Sequence, residues 1–262
     1  MQDLNEILSE VRAKIAAAAR RAGRNPDEIG IVAVTKTHGE EVVREAWDAG
    51  LRLVGENKVQ EAMWKKPMSP GGLEWHLIGH LQSNKVRHAL ETFDVIHSVD
   101  SAKLADKLNA VADEIGARPR ILVEVNVSGE KSKSGLEPAR LRETVAHILE
   151  ACPRLTLEGF MTMAPFAEDP EEARPVFRRL RELRDDMART FGAVFPRLSM
   201  GMSGDYEVAV EEGATWVRLG TVLFGERPKL KRVRAEAEDD DASALGGLDS
   251  YSGAGETVRV LD

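Results

Sequence analysis

Three short stretches carry side chains able to act on one small molecule. Lys36 closes the run Ile31-Val32-Ala33-Val34-Thr35 and is followed by Thr37-His38-Gly39. Four consecutive apolar residues bounded by a polar turn read as a strand buried on both faces, as inside a parallel sheet. The lysine then stands at the C-terminal mouth of that strand, where α/β folds bind ligands, with an amine that attacks carbonyls once desolvated. The commoner fate of such a lysine is to lay its stem on the core and keep its ammonium in water. Far along the chain, Ser203-Gly204-Asp205 and Gly220-Thr221 each join a hydroxyl to a glycine that permits close backbone approach, a pairing suited to phosphate. The triplet at 203–205 equally suits the plain task of capping a helix. Arg218 lies just before Gly220; it either addresses a ligand or pairs with a strand acid such as Glu124.

The elements between these stretches decide whether they meet. Leu4, Ile7, Leu8, Val11, Ile15 and Ala18 recur at helical spacing, predicting an amphipathic N-terminal helix over 4–23 that Gly23 and Pro26 stop. Strands are then predicted at 31–36, 51–55, 75–79, 93–100, 120–127, 156–163, 197–202 and 214–220. Helices are predicted at 40–49, 84–91, 101–115, 138–150, from 170 past 187, and at 206–212. Eight strand-then-helix units in series predict a single α/β domain, a (β/α)8 TIM barrel with an extra N-terminal helix, over residues 1–228. A doubly wound open sheet is the alternative. Barrel closure makes neighbours of strand one and the loops after strands seven and eight, the usual phosphate site of this architecture. A phosphate cup beside a lysine suggests pyridoxal 5′-phosphate (PLP), whose phosphate anchors the ring while its aldehyde condenses with the amine. Arg218 is then placed to address the pyridine nitrogen. A barrel enzyme acting on a phosphosugar would keep the cup and leave Lys36 without a role.

Composition narrows the partners. A net charge of −8 argues against broad nucleic-acid affinity, which needs clustered Lys and Arg. The single cysteine, Cys152, excludes intrachain disulfides and a cysteine-rich zinc site, and a reducing cytoplasm is the expected compartment. No metal is expected; His38, His88, His97 and His147 read as surface or helix-end groups, and His76 and His80 do not share a helical face. Neither a signal sequence nor a membrane span is legible. Residues 229–262 turn basic, then acidic, then Gly- and Ser-rich, and read as a low-complexity, disordered tail.

Seven blocks in order carry a resemblance: Val32 to Lys36, Gly55 to Glu61, Trp75 to Lys85, Ser132 to Gly135, Gly159 to Met163, Leu198 to Asp205, and Arg218 to Thr221. Together they resemble the YggS/PROSC family of pyridoxal phosphate homeostasis proteins over residues 4 to about 227. The resemblance implies a barrel like the N-terminal domain of alanine racemase, with PLP held as a Schiff base. By position it implies Lys36 as the Schiff-base lysine, Ser203, Gly204, Gly220 and Thr221 as the phosphate cup, and Arg218 as the partner of the pyridine nitrogen. It also implies Asn57 and Met200 against the ring. His80 departs from the residues many relatives carry.

Two functions follow. One is a carrier, expected to be monomeric, that binds PLP reversibly and passes it to PLP-requiring apo-enzymes, acting in vitamin B6 and amino-acid homeostasis without robust turnover. The other is a PLP-dependent amino-acid racemase. Racemisation needs a base on each face of the α-carbon, and only Tyr206 and Tyr251 are available as the second. A guanidinium at the ring nitrogen keeps that nitrogen neutral and weakens the electron sink, which favours the carrier.

Overall fold

The computed structural model describes residues 3–130 and 134–226 of the 262-residue chain. Its frame is a closed barrel of eight parallel strands in sequence order: β1 (Gly30–Val34), β2 (Leu53–Glu56), β3 (Glu74–Leu77), β4 (Val95–Val99), β5 (Arg120–Glu124), β6 (Thr156–Met161), β7 (Arg197–Ser199) and β8 (Trp216–Leu219). Closure is direct, since β1 pairs with β8 from Gly30↔Trp216 to Ala33↔Leu219. The open-sheet alternative is thereby removed. The expected tail at 229–262 lies outside the described residues, as do Ser132 and Lys133 of the fourth resemblance block.

Helix α1 (Leu4–Arg21) precedes the barrel and buries Leu8, Val11, Ile15 and Ala18, the stripe predicted from spacing. The outer layer continues with α2 (Glu40–Asp48), α3 (Val59–Lys65), α4 (Val86–Thr92), α5 (Ala102–Glu114), α6 (Leu141–Ala151), α7 (Arg174–Phe191), α8 (Tyr206–Glu211) and the short α9 (Thr221–Phe224). Among the described residues no helix is long and apolar enough to cross a membrane.

Strand alternation builds two cores. Ala33, Ile96, Val217 and Leu219 join the large cluster between sheet and helices, while Val32, Val95, Leu122, Met161 and Trp216 form a separate cluster inside the barrel. Along β8 this puts Trp216 and Arg218 on one face and Val217 and Leu219 on the other. The observed strands are mostly shorter than predicted at their C-terminal ends; β7 stops at Ser199, three residues before the expected end. Gly201 sits at φ 92°, which breaks the extended chain and turns it into the loop that carries Ser203.

Candidate functional site

At the C-terminal mouth of the strands lies a cavity of about 240 Å³. Lys36 and Asn57 enter it from the ends of β1 and β2, Ser203 and Gly204 from the loop after β7, and Arg218, Gly220 and Thr221 from β8 and beyond. Seven of the eight residues singled out from the sequence therefore share one wall. Met200 does not join them. It is fully buried in the core between sheet and helices, and Met202, two residues on and past the Gly201 turn, reaches the cavity instead.

Backbone fit explains the glycines here. A Cβ on Gly79 would lie 2.3 Å from the Asn57 carbonyl oxygen, so only glycine lets the loop after β3 seat against the residue that presents Asn57. A Cβ on Gly204 would meet nothing within 4 Å, which leaves that backbone open. The two cup loops are tied together: the Val222 N–H donates to Ser203 Oγ at 3.1 Å. Asp205 is not a side-chain cap of α8; its Oδ1 accepts the Met202 N–H at 2.6 Å and so braces the loop internally. Burial raises the Asp205 carboxyl above its ordinary value.

Arg218 is 4 % exposed and, among the described residues, has no ion pair. Its guanidinium donates to Ser199 Oγ at 2.8 Å and to the Thr162 carbonyl at 3.0 Å. The suggested pairing with Glu124 does not form; Glu124 accepts the Ser134 hydroxyl at 2.7 Å instead. Burial brings the guanidinium down to about 10, with Asp205 and Glu124 opposing it, so it stays charged at neutral pH.

Behind Arg218 runs a buried polar file that the sequence did not announce. Ser199 Oγ lies 2.9 Å from His97 Nδ1, His97 Nε2 lies 2.8 Å from His76 Nδ1, and His76 Nε2 lies 2.8 Å from Glu74 Oε1. Burial lowers both imidazoles, His97 well below 6.5, so each is neutral and one tautomer satisfies every contact. Assigned from these contacts, Arg218 donates to Ser199, Ser199 to His97, His97 to His76, and His76 to the Glu74 carboxylate. His97 also stacks on Trp216 at 14° between ring planes. Its expected surface position is thus corrected: period-2 alternation puts it on the inner face of β4 with Val95. His147 does sit near the surface, 2.6 Å from Asp106 and beside Cys152, whose thiol burial pushes up to about 11.

The donor set matches a phosphorylated aldehyde on a heteroaromatic ring. It holds one amine, two hydroxyls set on glycine-bearing loops, a charged guanidinium, and apolar walls from Val34, Ile78 and Met163.

A family model described as alanine racemase, N-terminal domain, matches residues 8–228. A pyridoxal phosphate homeostasis protein of Aquifex aeolicus is 46% identical over 223 residues, covering 85% of this chain and 97% of that one. The chain belongs to the pyridoxal phosphate homeostasis family. A second member, from Escherichia coli K12, is 41% identical over 243 residues, covering 88% of this chain and 100% of its own. Among solved structures, PipY of Synechococcus elongatus with PLP bound superposes at a TM-score of 0.74 with 37% identity, covering 85% of this chain and 100% of that one. An alanine racemase from Clostridium difficile, at 18% identity and a TM-score of 0.67, shares the fold.

Proposed function

We propose that this protein binds PLP at the barrel mouth, holds it as a Schiff base on Lys36, and acts in intracellular PLP and amino-acid homeostasis as a reversible, monomeric carrier. The observation that carries the reading is the single cavity shared by Lys36, Arg218 and both glycine-hydroxyl pairs. The family membership and the PLP-bound PipY structure support it. Bound PLP supplies an aldehyde that takes up a lysine amine with loss of water, C=O becoming C=N, a step that water reverses.

The remaining roles belong to the chain. Ser203, Gly204, Gly220 and Thr221 surround the phosphate, Asn57 lies against the ring, and Arg218 donates an N–H to the ring nitrogen. A guanidinium held at about 10 keeps its proton at neutral pH, so the ring nitrogen remains an acceptor and the ring a poor electron sink. Tyr206 does not offer the second base from the cavity wall: it is buried, its phenol pushed up to about 12 chiefly by desolvation, and it is not among the residues that line the cavity. These features favour carriage to PLP-requiring apo-enzymes in the cytoplasm over amino-acid racemisation.

The test is borohydride reduction of the PLP-loaded protein followed by peptide mass spectrometry. The label is expected on the peptide containing Lys36. Label on Lys85 or Lys133 alone removes the assignment.

A further inference from the structure

Lys36 sits in a turn with an unusual backbone. The His38 N–H donates to the Thr35 carbonyl at 3.2 Å, closing a four-residue turn in which Thr37 has φ 68°. Among the described residues Thr37 is the one non-glycine at positive φ. A β-branched residue there is strained, and such strain persists only where the surroundings over-determine it.

The surroundings here are three charged side chains that the proposed PLP chemistry does not use. Lys65, the last residue of α3, is fully buried. Its ammonium donates to the Thr35 carbonyl at 2.8 Å, to Glu56 Oε1 at 2.8 Å and to Glu61 Oε1 at 2.7 Å. Glu56 Oε1 also accepts the Thr35 hydroxyl at 2.6 Å, and Glu61 Oε1 accepts the Thr37 N–H at 2.6 Å. The residue before Lys36 and the residue after it are therefore gripped from one point beneath the turn. A buried ammonium is costly unless paired, and removing one partner leaves a charge uncompensated. Burying two ionisable groups and part-burying a third to grip a strained turn makes a sharp choice of backbone path.

We infer that the buried Lys65–Glu56–Glu61 cluster is a positioning device that holds the Thr35–His38 turn, and with it the Lys36 amine, in the geometry for imine formation. Lys65, Glu56 and Glu61 act through the turn and are not catalytic residues. The inference rests on the assignment of Lys36 as the PLP amine.

Glu61→Ala is the informative variant, because Glu61 is partly exposed and its loss leaves Lys65 paired with Glu56. Two ligands separate positioning from general damage: PLP, which condenses, and pyridoxine 5′-phosphate, which has the same phosphate and ring but no aldehyde. In Glu61→Ala the dissociation constant for PLP is expected to rise about tenfold, within the range that releasing this strain allows. That for pyridoxine 5′-phosphate is expected to stay within about twofold, since the cup is untouched. Glycine pays little for positive φ, so adding Thr37→Gly to Glu61→Ala is expected to restore most of the lost PLP affinity. The paired change Lys65→Met with Glu56→Gln, which removes one cation and one anion together and leaves only the part-exposed Glu61 carboxylate on the Thr37 N–H, is expected to repeat the Glu61→Ala pattern. Unchanged PLP affinity in Glu61→Ala, equal losses for both ligands, or no rescue by Thr37→Gly would each overturn the positioning role. Borohydride labelling of the unaltered protein is run alongside. If that label misses Lys36 the underlying assignment falls; if it finds Lys36 and the variants behave as unaltered, the positioning role alone falls.

Discussion

Arg218 and Ser199 meet at 2.8 Å inside the barrel, and through that one hydroxyl a cation facing the cavity is tied to His97. The serine is fully buried and serves both neighbours at once, accepting from the guanidinium and donating to the imidazole. Ser199→Ala is therefore expected to destabilise the protein by about 1–3 kcal/mol, the cost of leaving buried polar groups unmatched. Urea denaturation measures it, and an unchanged midpoint would show that the file behind Arg218 is not continuous.

Stability is expected to fall as the solution is acidified from neutrality. Burial holds His97 neutral, its pKa well below 6.5, with His76 and the two arginines Arg218 and Arg120 acting in the same sense. Below 6.5 the unfolded chain binds the proton that the folded chain refuses, so the contribution is complete above that pH and declines beneath it. Glu74 adds a second decline at lower pH: the hydrogen bond from His76, with Arg120, holds it at about 2 against an ordinary 4.5. Thermal midpoints across pH should show the first decline shrinking in His97→Gln, whose amide can still donate to His76 and accept from Ser199. A decline of the same size in that variant would assign it elsewhere.

Removing both cup hydroxyls, Ser203→Ala with Thr221→Ala, should weaken PLP binding at least about tenfold, since each hydrogen bond to a charged acceptor is worth about 1.5–3 kcal/mol. Ser203 Oγ also accepts the Val222 N–H, so part of the loss is the loosening of one loop from the other. Fluorescence titration reads the constant. An unaltered value would move the phosphate out of this cup.

Proton exchange at the α-carbon of amino acids separates carrier from racemase. Enzymes typically turn over at about 1–1,000 per second, and exchange in deuterated water is expected to run orders of magnitude slower for the common L-amino acids. Tyr206→Phe should change nothing, because that phenol is buried against the core. Rapid exchange abolished by Lys36→Ala would establish an enzyme, and a further loss in Tyr206→Phe would identify its second base.

The barrel and most of its mouth were legible because they are written in local pattern. The run before Lys36, the glycine-hydroxyl pairs and the eight alternating units each follow from neighbours in sequence. What escaped is long-range and polar. His97 reads as an ordinary histidine until β4 is packed against Trp216 and Ser199, which lies 102 positions away. Lys65 falls in step with Val59 and Ala62 on the buried face of α3, yet a lysine at such a position is ordinarily assigned to solvent. Met200 lies off the cavity wall for a different reason: a shared block fixes which segment reaches the mouth, while the Gly201 turn decides that Met202 and not Met200 lines the cavity.

The seam between β1 and β8 has a consequence for how the protein is made. Lys36 leaves the ribosome well before Arg218, and the cavity they share is completed only when Ala33 pairs with Leu219. A nascent chain therefore carries no finished vessel, and such non-local contacts form late because loop closure precedes their reward. A molecule that fits only the finished mouth stabilises the closed seam by mass action, about 2.7 kcal/mol when present at a hundred times its dissociation constant. Vitamin supply during growth would then govern not just how much of the protein is loaded but how much of each new batch survives to be loaded.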